Sequence, residues 1–305
     1  MMNISKITII TLTYKNWRLL DKAIKSVVNQ VVDQKYKIEY LIVDDGTVDF
    51  DASYVSSLLV NSNLNYRIIV NKINVGTVAS FNNAIRQSTG DIIMPLSADD
   101  VFYDSNVVND IVNEFSMTDA KIITGYKVLM SDALELDCFP KEKVINLFSN
   151  RKKLLKYVLC RGNIISGAST YYLKSVFNDI GFFDEHYRLL EDYPFYIKAL
   201  SNGIDINFYR RKVICFGDKG VSSVGKVNQI LGNDYKILLS RIINNSNLSF
   251  FEKRFVIYSR MKSEKQRYLH SWLYPEQFTY FVIFKLARFV SDYIKLNIKK
   301  EMVDE

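Results

Sequence analysis

The chain has 305 residues, 48% hydrophobic and 24% charged, which suffices for a full buried core and is too apolar for a disordered chain. A net charge of +7 favours acidic partners, namely nucleic acid, nucleotide-sugar phosphates or an anionic membrane surface, and does not choose among them. Two histidines, His186 and His270, give little material for a histidine zinc site or a catalytic triad, and Cys138, Cys160 and Cys215 make neither a CxxC pair nor an even disulfide set, as expected in a reducing compartment.

Lys6 to Thr13 (KITIITLT) is β-branched and apolar on both faces, the pattern of a central parallel strand covered by helices. Its apolar part, Ile7 to Leu12, is short and is followed by Tyr14-Lys15-Asn16 instead of a small-residue cleavage site, so it reads as a strand and not as a signal peptide. No run approaches the ~18 apolar residues of a membrane span. Trp17 to Val32 carries apolar residues at helical spacing, and Ile38 to Val43 is a second strand ending in Asp44-Asp45-Gly46-Thr47. Strand, helix and strand predict a right-handed βαβ unit, whose ligands gather at the carboxyl ends of the strands.

A helix is expected near Tyr54 to Val60 and a third strand over Tyr66 to Asn71, followed by a glycine turn, Asn74-Val75-Gly76, that opens another helix. Gly90-Asp91 then starts the short apolar run Ile92-Ile93-Met94-Pro95-Leu96, which ends in Ser97-Ala98-Asp99-Asp100. Such a run reads as a buried strand delivering carboxylates to a sheet edge. Mg²⁺ and Mn²⁺ take one or two protein carboxylates when a phosphorylated substrate supplies further ligands; helix capping is the other use of an Asp pair.

TLTYKN, IVDDGT, NVG with Asn82 six residues beyond its glycine, GDIIMPLSADD and GFFDEHYRLLEDYPFYIKAL stand in register over residues 6 to about 223. In this order they resemble the family 2 glycosyltransferases of the GT-A fold. The resemblance implies a mixed, mainly parallel α/β sheet flanked by helices. Residues 1–225 would form the catalytic domain, with a nucleotide-binding half (1–100) and an acceptor half (101–225), and 226–305 a helical appendage. Thr13, Tyr14, Asp45, Asn82, Ser97 and Asp99 would bind the donor, with Asp45 accepting from uracil N3–H and Asp99 holding Mn²⁺ or Mg²⁺. Ser97 stands where the family usually has an Asp. It can hydrogen-bond a ribose hydroxyl but adds no charge. Relatives often place a His ligand near 214–224, which this chain lacks; either Asp218 or a water would substitute, or the metal would be held more loosely.

Helices are expected over Phe102 to Phe115 and Arg151 to Leu159, the latter with a solvated basic face, and a strand over Lys121 to Met130; 132–150 reads as irregular. Gly167 on the acceptor side permits close backbone approach to a ligand or makes a plain turn. In Leu190-Glu191-Asp192-Tyr193-Pro194, Pro194 fits the first turn of a helix, which places Glu191 and Asp192 at its N-terminus. Backbone donors and the helix dipole there would keep Asp192 ionised, as a catalytic base must be.

Beyond Lys226 the sequence becomes helical, aromatic and basic. Phe278, Val282, Leu286, Phe289, Tyr293 and Leu296 share one helical face and Arg288, Lys295 and Lys299 another, the layout of a helix lying on an anionic membrane, or else docked on the catalytic domain or on a second copy of the chain. The whole reads as a cytoplasmic, metal-dependent, inverting transferase, peripheral to the membrane, moving sugar from a UDP-sugar to a hydroxyl of a growing glycan, including one carried on a lipid; nucleic acid is not an expected partner. A sugar-phosphate nucleotidyltransferase is the rival enzyme, without the Gly-rich phosphate loop it needs. A catalytically silent nucleotide-sugar binder or membrane scaffold is the other alternative.

Overall fold

The computed structural model describes residues 4–131, 134–217 and 228–301, by backbone alone at 288, 289 and from 291 onward. Two compact units emerge, one of Met1–Val158 and Gly162–Tyr235, the other of Leu159–Arg161 and Lys236–Glu305.

The first unit is built on a mixed sheet. Strands β1 (Lys6–Thr13), β2 (Lys37–Asp44), β3 (Asn65–Val70) and β4 (Ile92–Pro95) run parallel in the order β3-β2-β1-β4. The inner strands β1, β2 and β4 are buried along most of their length, as strands covered on both faces are, whereas the edge strand β3 is partly exposed. Ile7, Ile9, Tyr40, Ile42, Ile92 and Met94 join Leu20, Ile24 and Val27 of α1 (Leu20–Val28) in one continuous core. The sheet continues through β8 (Thr170–Leu173), β6 (Ile122–Ser131), β9 (Ile206–Gly217) and β5 (Asp100–Phe102), and β7 (Leu134–Phe139) pairs with β6. The β4–β8, β8–β6, β9–β5 and β6–β7 pairings are antiparallel, and β6–β9 is parallel.

Four expectations differ. The first helix stops at Val28 because the following residues are drawn to another loop: Val31 N–H donates to Ser105 O at 2.8 Å, and the Gln30 side chain donates to Asp104 O at 2.8 Å. Helix α4 (Val107–Met117) begins later than expected because Asp100 to Phe102 is claimed by the β9 ladder. The stretch read as irregular contains β7 and a 3-10 segment, Glu142–Ser149. An almost wholly exposed edge strand lacks the buried face that makes a strand readable. Helix α5 (Arg151–Arg161) exposes Lys152 and Lys153 and buries Leu154 and Val158 completely, so it is more than a solvated face.

The second unit is helical. Helices α9 (Phe250–Val256) and α10 (Glu264–Leu269) each open with a capping box, Ser249 with Glu252 and Ser263 with Gln266. The Arg254 guanidinium pairs bidentately with Glu276 at the start of α11 (Pro275–Glu301), at 2.6 and 3.1 Å. The chain divides inside α8 (Gln229–Ile243) and not at residue 225.

Candidate active site

The parallel strands deliver their carboxyl ends to one edge. Thr13 and Asp44 are register partners there, and Asp45 N–H extends the pairing by donating to Thr13 O at 2.9 Å. Asn16 folds the chain back after β1, its Oδ1 accepting from Thr13 Oγ1 and from Tyr14 N–H at 2.8 and 3.0 Å. The turn holds Lys15 in the left-handed region at φ 63°, a conformation that costs a non-glycine residue about 1–2 kcal/mol.

Asp45 is 5% exposed and its carboxylate accepts five hydrogen bonds of 2.8–3.0 Å. The donors are Asn71 Nδ2, Asn74 Nδ2, Ser80 Oγ and the backbone amides of Val75 and Gly76. One buried charge therefore fixes the 74–76 turn and the start of α3 (Thr77–Gln87). Gly46, at φ 78°, leaves no room for a side chain, since a Cβ would lie 2.5 Å from the Ile73 carbonyl carbon.

Past β4 the chain turns, with Asp100 N–H donating to Ser97 O at 3.1 Å. This turn separates the two carboxylates. Asp100 goes into the sheet, 2% exposed, and pairs with Lys127 at 3.1 Å; burial raises its pKa and Lys127 opposes the rise. Asp99 goes to the cavity, and among the described residues its carboxylate has no hydrogen bond or ion pair.

The opposite wall comes from residues 163–192. Helix α7 (Asp192–Ser201) begins at Asp192, whose Oδ1 accepts from Tyr193 N–H at 2.6 Å and whose Oδ2 accepts from Asn163 Nδ2 at 3.3 Å. Gly167 lies against this carboxylate; a Cβ on it would sit 3.1 Å from Asp192 Oδ2. Its lack of a side chain thus serves Asp192. Burial pushes the pKa of Asp192 above the usual carboxylate range, against the pull of its hydrogen-bond donors. Burial, with the neighbouring Asp192 and Asp234 charges, pushes Glu191 higher. The helix N-terminus alone does not set ionisation here: desolvation and a like charge outweigh it, and the pair holds one proton more readily than two separate carboxylates would.

These walls enclose a cavity of about 280 Å³. Thr13, Tyr14, Asp45, Ser97, Asp99, Gly167, Glu191 and Asp192 all line it. Asn82 does not. It is 1% exposed and clasps the 183–185 segment, donating to Phe183 O and Glu185 Oε1 and accepting from Phe183 N–H. Asn74, Ser80 and Asn163, which sequence reasoning had not singled out, support the two key carboxylates; Asn74 was signalled only by its place before the Gly76 turn. Asp218 lies outside the described residues.

A sheet edge with one unpaired carboxylate facing a second carboxylate pair across a cavity is a geometry that the comparisons can now be set beside. The glycosyl transferase family 2 model matches residues 8–181, more than half of the chain. The chain belongs to glycosyl transferase family 2. An uncharacterised glycosyltransferase of Rickettsia conorii is 27% identical over 177 residues, 57% of this chain and 28% of the relative. One from Rickettsia prowazekii is 25% identical over 177 residues, 57% of this chain and 53% of its own length. The chain thus spans about three-tenths to a half of these curated relatives. Among solved structures, S. aureus TarS 1–349 in complex with UDP-GlcNAc matches with a TM-score of 0.61 at 17% identity, over 86% of this chain and 77% of that 1–349 chain. The mannosyltransferase PcManGT from Pyrobaculum calidifontis, in complex with GDP-Man and Mn²⁺, matches at 0.56 and 14%, over 87% of this chain and 69% of its own. At such identities the structures speak for the GT-A fold. The family match ends before Glu191 and Asp192, so their roles rest on geometry.

Proposed function

We propose that this glycosyltransferase moves a sugar from a UDP-sugar to a hydroxyl of a glycan by a single inverting displacement. The observation carrying this reading is that Asp99 and the Glu191–Asp192 pair line one cavity from opposite halves of the first unit. Asp99 fits a divalent cation because its carboxylate faces the cavity unclaimed by the protein, and a cation held chiefly by a diphosphate and water needs little more from the protein. When bound, Mn²⁺ or Mg²⁺ would neutralise the departing diphosphate. Ser97, a neutral neighbour, offers a hydroxyl to the donor. For Asp45 to accept from uracil N3–H, one of its five donors must yield, and the Asn71 and Asn74 amides sit on side chains that can rotate.

Asp192 accepts the acceptor's proton in its ionised form while Glu191, the more strongly raised carboxyl, keeps the proton they share. The acceptor oxygen bonds to the anomeric carbon as the carbon–phosphate oxygen bond breaks on the other face, and the nucleoside diphosphate leaves. Such a step inverts the anomeric centre and needs no covalent enzyme intermediate. Proton NMR during turnover of α-linked UDP-GlcNAc, with water as acceptor, checks this: the first-formed sugar is expected as the β anomer. Release of α anomer, or of a sugar phosphate, would remove the inverting mechanism.

The second unit supports a place at an anionic membrane. It contains fourteen of the 40 basic residues and seven of the 33 acidic ones, so the entire net charge of +7 resides in it and the first unit balances to zero. Tyr280, Ile283, Phe284 and Val290 recur at helical spacing on α11, and each is 46% exposed or more. Of the face expected from sequence, Leu286 is 60% exposed, whereas Phe278 packs on Tyr268 with ring centroids 6.0 Å apart. Side chains of Arg288, Phe289, Tyr293, Lys295, Leu296 and Lys299 lie outside the described residues. Each basic residue near an anionic surface contributes about 1 kcal/mol, and exposed aromatics add apolar burial. The full chain is expected to float with phosphatidylglycerol-rich vesicles, with Ile283→Glu/Phe284→Glu reducing flotation at unchanged UDP affinity. Equal flotation of wild type and variant would place the contact elsewhere.

A further inference from the structure

One buried carboxylate of the first unit is used by none of these steps. Asp234, on α8, is 4% exposed, and its Oδ2 accepts from three consecutive backbone amides, Arg188, Leu189 and Leu190, at 3.0, 2.7 and 3.2 Å. Converging backbone N–H groups of this kind form a nest for an anion, and here the anion is supplied by the chain itself. The residues that follow at once are Glu191 and Asp192. Leu189, Glu191 and Asp192 line the cavity.

The same segment braces the donor wall. Arg188 O accepts from Val78 N–H at 3.3 Å, and the Arg188 guanidinium donates to Asn74 O and Oδ1 at 3.0 and 2.8 Å. Gly76 closes against it so tightly that a Cβ would lie 2.5 Å from Arg188 Cγ. Asn74 in turn donates to Asp45 at 2.8 Å. The 188–190 backbone is thus the strut between the two walls, and three of its amides end on one side chain.

We propose that Asp234 is a positioning residue for transfer, fixing the 188–190 backbone so that the Glu191–Asp192 pair meets the acceptor at the right place. The proposal rests on the reading of Asp192 as the base. Removing the carboxylate leaves three inward-facing amides without an acceptor, whereas Asn keeps an oxygen at the same place. Small displacements of a reacting group cost rate steeply, about 10²-fold for roughly 1 Å. Asp234 reaches Asp45 only indirectly, through Arg188 and the 74–76 turn, while Asn71 and Ser80 hold Asp45 from elsewhere, so donor affinity is expected to change far less than kcat.

The test uses the full chain, with turnover of UDP-GlcNAc, calorimetric UDP affinity with Mn²⁺, and hydrogen exchange of the 186–193 segment. Asp234→Ala is expected to lower kcat by about 30-fold or more, to leave UDP affinity within about 3-fold, and to speed exchange in that segment; Asp234→Asn is expected to restore most of kcat. The proposal falls if Asp234→Ala turns over like wild type, or if both variants lose kcat, UDP affinity and melting temperature together, which is general unfolding. Asp192→Asn measured in parallel separates the two readings. Its full activity would remove the base, whereas its inactivity beside a wild-type Asp234→Ala would remove only the positioning role.

Discussion

Asp192→Asn is expected to lower transfer by about 10²–10⁴-fold while donor affinity survives, because the side chain acts on the acceptor's proton. Asn is nearly isosteric and its oxygen can still accept from Tyr193 N–H, losing only the long 3.3 Å bond from Asn163 Nδ2, so the wall should stand and the loss should appear in kcat. Retention of a tenth of wild-type turnover would make a base at this position untenable. The pH profile carries the same information. Burial raises the pKa of Asp192, so the active, ionised form is lost as pH falls through a value above the usual aspartate range; the acid limb of kcat/KM is expected well above the ~4 of an exposed Asp. The same shift makes a stability statement: a carboxyl whose pKa is raised on folding binds its proton more tightly in the folded chain. Its contribution therefore favours the fold below the unfolded pKa and is lost as pH rises towards the raised value.

Asp99→Ala is expected to abolish the metal-dependent part of UDP binding, whereas Ser97→Ala weakens binding only modestly. The asymmetry comes from charge. A hydroxyl offers one hydrogen bond with a net value of about 1 kcal/mol, and a carboxylate offers a metal ligand opposite a diphosphate that must be neutralised. Asp100 does not stand in for it. Its carboxylate is paired with Lys127 inside the sheet, and pulling it out would leave a buried cation without its partner.

The parallel strands of residues 6–95 were readable because their signals are local. Apolar runs that are buried on both faces, each followed at once by polar residues, identify parallel strands and their carboxyl ends, and Thr13, Asp45 and Asp99 sit where that rule puts them. Asn82 shows how far such reading goes. On α3, Thr77, Ser80 and Phe81 share a face by the i, i+3, i+4 rule and line the cavity; the next residue is turned by about 100°, which directs Asn82 to the 183–185 segment.

What remained hidden depends on packing between distant parts of the chain. Nothing in Gly232-Asn233-Asp234-Tyr235 distinguishes Asp234 from a solvated helix residue until α8 meets the 188–190 amides. The raised pKa of Asp192 has the same origin, since burial beside Glu191 is a property of the assembled wall while the helix N-terminus is visible in sequence. In α11, periodicity marked an aromatic helix but could not say that Phe278 and Phe281 would meet Tyr268 while Ile283, Phe284 and Leu286 would stay exposed.

The central claim is that this cavity holds a nucleoside diphosphate through a cation on Asp99, and calorimetric titration of UDP with Mn²⁺ and with EDTA into wild type and Asp99→Ala tests it most directly. Binding to wild type with Mn²⁺, lost in EDTA and lost in Asp99→Ala, is the predicted result. Equal UDP affinity in EDTA, or an Asp99→Ala protein that binds Mn²⁺ and UDP as wild type does, would contradict it.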